Sequence, residues 1–176
     1  MRLVQLRHFI AGLISISTMW IPALNAQQVF KVSVVPFIAP TQTNRNWSPF
    51  LAQLEKLTGH RFELRVYDQF AQFEDEFRTG VPDFVYLNPY HAVMANQAQG
   101  YLPLVRDNSE PLTANLVVLA DGPIYQVSEL NGKSVSFASP NAFAPLYLRA
   151  LLTEKEKIAI QPIFVGSPQN AFRHVL

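Results

Sequence analysis

Polar side chains recur where predicted strands end and predicted helices begin. Asn88 and Tyr90 flank Pro89, directly after the apolar run 83–87. Proline suits the first position of a helix, where a backbone N–H would have no partner. In open parallel sheets, small ligands bind at this carboxyl edge of the strands. Other strand-to-helix connections offer similar polar groups: Thr41 and Thr43, Asp68 and Gln69, and Ser139 and Asn141.

The chemistry that these connections support is the binding of a small solute. Helix N-termini present unpaired N–H groups and the positive end of the helix dipole, so they hold a small anion without a buried Arg or Lys. Each residue alone also has a structural explanation, because Ser139 and Asn141 could cap a helix and Tyr90 could belong to the core. Several polar turns at one sheet edge favour a ligand site. We predict six ligand-binding residues: Thr41, Thr43, Asn88, Tyr90, Ser139 and Asn141.

Catalytic and metal-binding patterns are missing from the sequence. The chain has no cysteine, which excludes disulfides, thiolate metal sites and cysteine nucleophiles. His60, His91 and His174 show no metal-ligand spacing with one another or with an acid. Neither a nucleophile elbow nor a phosphate-binding glycine loop occurs. We predict a protein with no enzymatic activity, cofactor or metal; a periplasmic enzyme that uses Asp68 remains the alternative.

Composition and charge indicate a globular protein without a nucleic-acid partner. The 176 residues are 49% hydrophobic and 15% charged, enough for a core in one domain or two small ones. A net charge of +1 provides no basic field for nucleic acid. We expect a monomer whose ligand is a small anion or polar solute.

The N-terminus has the pattern of a secretory signal peptide. Arg2 and Arg7 precede an apolar run over 9–20, Pro22 interrupts it, and Ala26 ends a small-residue cleavage site. The run is too short for a membrane span, although an uncleaved anchor is the alternative. Removal of residues 1–26 would change the net charge from +1 to −1. We therefore expect a periplasmic protein.

Strand and helix patterns alternate through the first part of the chain. We predict strands over 29–35, 62–67 and 83–87, a loop over 36–44, and helices over 47–57, 70–77 and 91–99. The second helix places aromatic residues on one face and acids on the other. The predicted core residues are Phe70, Phe73, Phe77 and Tyr86; the predicted solvent-facing residues are Glu74, Asp75 and Glu76, with His91 partly exposed.

The alternation breaks after residue 100, where strands over 101–105 and 113–119 follow each other without a helix. We place a lobe boundary there, with a first α/β lobe over 27–110 and a second over 111–176. The second lobe has predicted strands over 134–137 and 159–165 and helices over 139–152 and 169–176. Because so few strands form a marginal sheet, we expect an α/β, two-lobed fold whose second lobe is incomplete in a truncated chain.

Four stretches of the chain resemble the periplasmic substrate-binding proteins of phosphate, phosphite and phosphonate ABC transporters, which have the type II periplasmic-binding-protein fold. They are FLAQLEKLTG at 50–59, DFVYLNPYHA at 83–92, LNGKSVSFASPN at 130–141 and GSPQNAFRHVL at 166–176. The resemblance implies two lobes that close on a ligand by a hinge motion and deliver it to a membrane permease. A ligand-sensing input module for a membrane signalling protein is the alternative.

The resemblance also implies an anion site in the turn after the LNGK strand, where family members carry hydroxyl side chains in a P-N-S-T-S-G run. Residues 140–145 of this chain are P-N-A-F-A-P, without those hydroxyls. Pro168 stands where a histidine is frequent, and Phe70 where tyrosine is usual. We expect a phosphate- or phosphonate-like oxyanion, or a related solute that is less charged or larger.

Overall fold

Two separate parallel sheets organise the protein. The computed structural model describes residues 28–109 and 111–175. The first sheet has the order β2-β1-β3, with β1 at Val29–Val34, β2 at Arg61–Arg65 and β3 at Phe84–Tyr86. The second pairs β4 (Ser134–Phe137) with β5 (Gln161–Phe164). The predicted signal peptide, residues 1–26, lies outside the described residues, as does residue 110 at the predicted lobe boundary.

Helices connect the parallel strands, as crossover geometry requires. Those packed with the first sheet are α1 (Pro40–Thr58), α2 (Phe70–Arg78) and α3 (Pro89–Gln99). Those with the second are α4 (Phe143–Ala150), a π-helical segment (Leu151–Lys155) and α5 (Pro168–Arg173), with a 3-10 turn at Val127–Leu130. We call β1–β3 with α1–α3 the first lobe, and β4–β5 with α4 and α5 the second lobe. No helix in the described ranges is long and apolar enough to cross a membrane.

The core of the first lobe is built on one face of α2. Phe70, Phe73 and Phe77 recur at helical spacing and are almost completely buried, as predicted. Their rings surround His91, with centroid distances of 5.6 to 5.8 Å. His91 is therefore fully buried, and the prediction of partial exposure was wrong. Tyr86 was also placed wrongly in the core, because β3 is an edge strand and its tyrosine is 42% exposed.

The two lobes touch near the start of α4. Ala142, which precedes α4, belongs to the buried cluster of the first lobe. The backbone N–H of Phe70 donates to the Gly166 carbonyl at 3.1 Å. The second lobe has its own core around Leu130, Phe137 and Leu152. Two turns of the second lobe, at Ala142 and at Gly166, thus contact the first lobe.

Two predicted strands do not form. Residues 101–105 and 113–119 lie outside any strand, because within the described residues no neighbouring strand pairs with them. Leu102, Leu104 and Val105 are 74%, 76% and 94% exposed. The apolar pattern identified segments able to form strands, but a strand needs a hydrogen-bonded partner.

Two helix starts also differ from prediction. Helix α1 begins at Pro40, inside the predicted loop, because proline at the first helical position lacks only an N–H that would have no partner there. Thr41 and Thr43 therefore lie in its first turn. Helix α4 begins at Phe143 and not at Ser139, so Ser139 and Asn141 occupy the turn before it.

Candidate functional site

A buried carboxylate lies where the two lobes meet. Glu74 projects from α2 and is only 8% exposed. Its Oε1 accepts hydrogen bonds from His91 Nε2 and from Ser139 Oγ, both at 3.1 Å. Its Oε2 accepts from the Asn141 side-chain amide at 2.8 Å. The carboxylate of Glu74 belongs to the first lobe, and it accepts hydrogen bonds from side chains of both lobes.

Asn88 holds His91 in position for this contact. Its Oδ1 accepts the His91 backbone N–H at 2.9 Å and caps α3. Its Nδ2 lies 2.9 Å from His91 Nδ1. Because the amide nitrogen can only donate, Nδ1 accepts from it, and Nε2 is then the ring nitrogen that donates to Glu74. Asn88 therefore determines which histidine tautomer faces the carboxylate.

The turn before α4 is ordered by Ser139. Its Oγ accepts the Asn141 backbone N–H at 3.2 Å while its hydroxyl donates to Glu74. Asn88, Ser139 and Asn141 belong to strand-to-helix connections of different sheets, and a chain of hydrogen bonds through His91 joins them. The structure brings these three predicted site residues together.

Sequence reasoning missed Glu74 and placed it wrongly in solvent. The residue lies four positions after Phe70 and three before Phe77, which puts it on the buried face of α2. Its neighbour Asp75 is exposed, as predicted. The spacing of 70, 73, 74 and 77 was the signal that could have identified Glu74.

Glu74 is ionised in this environment. Burial alone raises the pKa of its carboxyl, but hydrogen bonds from His91, Asn141 and Ser139 outweigh burial and lower the pKa below its usual value. A full negative charge therefore lies at the junction of the lobes at neutral pH.

The other three predicted site residues have different surroundings. Thr41 is exposed in the first turn of α1. Thr43 is buried, and its hydroxyl donates to the Ala39 carbonyl at 3.3 Å. Tyr90, in the first turn of α3, is 44% exposed. None of these three makes a hydrogen bond to Glu74 or His91 in the described structure.

Two backbone donors remain at the start of α4. No side chain caps helix α4. The first of its residues whose backbone N–H donates to a carbonyl one turn earlier is Leu146, which donates to Ala142 at 3.4 Å. Pro145 has no N–H. The N–H groups of Phe143 and Ala144 are therefore the donors that this terminus offers to a ligand.

A cavity of about 730 Å³ adjoins this helix start. Phe37 and Phe70 line it from the first lobe, and Phe143 and Pro168 from the second. The cavity then continues along the apolar surface of the second lobe. Within the described residues, no group of three His, Asp or Glu side chains is arranged to hold a metal ion.

A second buried polar network stabilises the first lobe away from this junction. The Tyr67 hydroxyl donates to Glu76 Oε2 at 2.7 Å and lies 2.5 Å from Ser33 Oγ. Glu76 also pairs with Arg65 of β2. The prediction that Glu76 faces solvent was wrong, since this network joins α2 to the sheet. Burial raises the pKa of Tyr67 to about 12.

Comparisons with known proteins agree with this architecture. A family model described as "ABC transporter, phosphonate, periplasmic substrate-binding protein" matches residues 32–176. A binding protein component of an ABC phosphonate transporter from Pseudomonas aeruginosa has a similar structure, with a TM-score of 0.60 and 13% identity. PhnD1 from Prochlorococcus marinus, solved in complex with methylphosphonate, has a TM-score of 0.58 and 15% identity. No curated protein matches the chain in sequence.

The two structural matches extend over most of this chain but over less of the other proteins. The first covers 85% of this chain and 54% of the Pseudomonas protein. The second covers 84% of this chain and 59% of the Prochlorococcus protein. The chain thus spans less than two thirds of either protein's length.

Proposed function

The chain belongs to the family of periplasmic substrate-binding proteins of phosphonate ABC transporters, and we propose that it binds a small phosphate- or phosphonate-like oxyanion between its lobes for delivery to a membrane permease. Membership confirms the resemblance noted in the sequence. The family consists of transporter binding proteins, not enzymes. The structural matches confirm the predicted α/β fold of the type II class.

The observation that carries this proposal is the hydrogen-bonded chain that joins Asn88, through His91 and the buried carboxylate of Glu74, to Ser139 and Asn141. These residues come from connections that follow strands of two different sheets. Binding proteins of this architecture need such groups at the junction, because a solute held by both lobes can stabilise one relative orientation of them.

The start of α4 is the proposed position of the oxyanion. The N–H groups of Phe143 and Ala144 and the positive end of the helix dipole supply charge stabilisation there. The Ser139 hydroxyl and the Asn141 amide are the side-chain donors proposed beside them. Tyr90, Thr41 and Thr43 are proposed to contact the solute from the first lobe.

The adjoining cavity supports a solute with an organic substituent. Phe37, Phe70 and Phe143 are among the residues that line it, and aromatic rings suit an apolar group attached to the oxyanion head. We therefore propose an alkyl- or arylphosphonate in preference to inorganic phosphate.

Thermal unfolding with added ligand tests the function. Methylphosphonate, phenylphosphonate, phosphite and phosphate are compared, with sodium chloride at matched ionic strength as the control. A ligand at a hundredfold its dissociation constant stabilises a folded protein by about 2.7 kcal/mol. Failure of every oxyanion to raise the Tm at millimolar concentration would contradict the proposal.

Export is proposed to proceed through removal of residues 1–26. N-terminal sequencing of the protein from a periplasmic extract is expected to begin at Gln27. A mass that retains Met1 in the membrane fraction would instead indicate an uncleaved anchor.

A further inference from the structure

We propose that Glu74 is an internal competitor of the solute: its carboxylate occupies the donors Ser139 and Asn141 that the oxyanion needs, and so determines how tightly an oxyanion binds. This inference rests on the proposed function. It adds a specificity-determining residue to the site, on the lobe opposite to the two donors.

The geometry of the contact is that of a bound anion. Ser139 Oγ and Asn141 Nδ2 approach the two oxygens of Glu74 at 3.1 and 2.8 Å. Carboxylate and phosphonate oxygens accept the same charge-assisted hydrogen bonds. The serine hydroxyl has one hydrogen, so it cannot donate to Glu74 and to a solute at the same time.

The charge at the junction adds to this competition. Glu74 is only 8% exposed and ionised, so solvent screens its field poorly. Among the ion pairs of the described residues, Glu74 takes part only in the one with His91. His91 is itself held by Asn88, whose side-chain amide nitrogen lies 2.9 Å from Nδ1. A second anion beside Ser139 would therefore lie close to a carboxylate whose charge solvent screens poorly.

The consequence is an exchange of hydrogen bonds when the solute binds. Ser139 and Asn141 release Glu74 and donate to the oxyanion, and Glu74 keeps its bond from His91. The measured affinity is then the intrinsic affinity of the α4 site reduced by the cost of this displacement. Removal of the carboxylate charge should increase the affinity.

The experiment compares methylphosphonate binding to the full chain and to Glu74→Gln by isothermal titration calorimetry. We expect Glu74→Gln to bind about tenfold more tightly, since two hydrogen bonds to a charged acceptor no longer compete. Asp75→Asn is the matched control, because it removes the same charge from the exposed neighbouring position. It should leave the dissociation constant unchanged.

Equal or weaker binding by Glu74→Gln, with wild-type binding intact, would overturn the inference and leave the proposed function standing. Absence of methylphosphonate and phosphate binding to both proteins would overturn the proposed function and the competition with it. If Glu74→Gln does not fold, Glu74→Asp is measured, because it keeps the charge and withdraws it by one methylene. Tighter binding by that variant supports the inference, and unchanged or weaker binding overturns it.

Discussion

The carboxylate of Glu74 and the side-chain amide of Asn141 lie 2.8 Å apart although 67 positions separate them in the chain. The contact joins α2 of the first lobe to the turn that precedes α4 of the second. Ala142 follows directly and packs into the first-lobe core. The position of one lobe against the other therefore depends on a polar bond and an apolar contact at adjacent residues.

Asn141→Ala should destabilise the protein. The substitution removes the donor to Oε2 of a buried, ionised carboxylate, and a hydrogen bond to a charged group contributes about 1.5–3 kcal/mol. Urea unfolding followed by circular dichroism measures the change. Asn46→Ala, at an exposed position of α1, is the matched control and should leave the free energy of unfolding unchanged. Equal stabilities of Asn141→Ala and the wild type would show that the contact contributes nothing to the fold.

The stability of the protein should fall in acid partly through Glu74. Hydrogen bonds lower its pKa in the folded state below the usual 4.5, despite the opposing effect of burial. Its stabilising contribution is therefore complete above about pH 4.5 and is lost as pH falls through the lowered folded-state pKa. Unfolding free energies measured between pH 7 and pH 3 should decline less steeply in Glu74→Gln than in Asp75→Asn. Parallel curves would exclude this role.

Tyr67→Phe should destabilise the first lobe by about 1–3 kcal/mol, because the buried Ser33 hydroxyl loses its partner and Glu76 loses one of its donors. Tyr125→Phe, at a residue that is 77% exposed, is the control. The folded-state pKa of Tyr67 is raised from 10.0 to about 12. Its stabilisation is thus complete below about pH 10 and is lost as pH rises towards 12. The free energy of unfolding of Tyr67→Phe should therefore fall less than that of the wild type as pH rises from about 10 towards 12.

Gly100→Ala should lower the free energy of unfolding by about 1 kcal/mol, because Gly100 ends α3 in the left-handed conformation, with φ of 73°. No atom lies within 4 Å of the position that a Cβ would take, so the cost is one of backbone conformation only. Gly100→Asn should cost less, since asparagine tolerates this conformation better. Thermal unfolding of the two variants checks the order, and a more stable alanine variant would contradict it.

Local features of the fold could be predicted from the sequence. The spacing of Phe70, Phe73 and Phe77 predicted the buried face of α2, and Pro89 predicted the start of α3. Gly59 predicted the end of α1, where its φ is 72°. Each of these signals depends on residues a few positions apart, whose conformations are restricted by nearby atoms. Asn88 belongs to the same class, because it caps the helix that it precedes.

The site itself depended on the tertiary structure. The spacing along α2 puts Glu74 on the buried face of that helix, but no local pattern shows that His91 of α3 and the turn at Ser139 are the groups that pack there. Segments 101–105 and 113–119 have the composition of strands, but strand formation requires a second chain segment alongside. The sequence by itself determined which segments could become helices and strands and which turns carry polar groups. Only the packing of distant segments decided which of those groups meet, since burial and hydrogen bonding are properties of pairs of residues far apart in the chain.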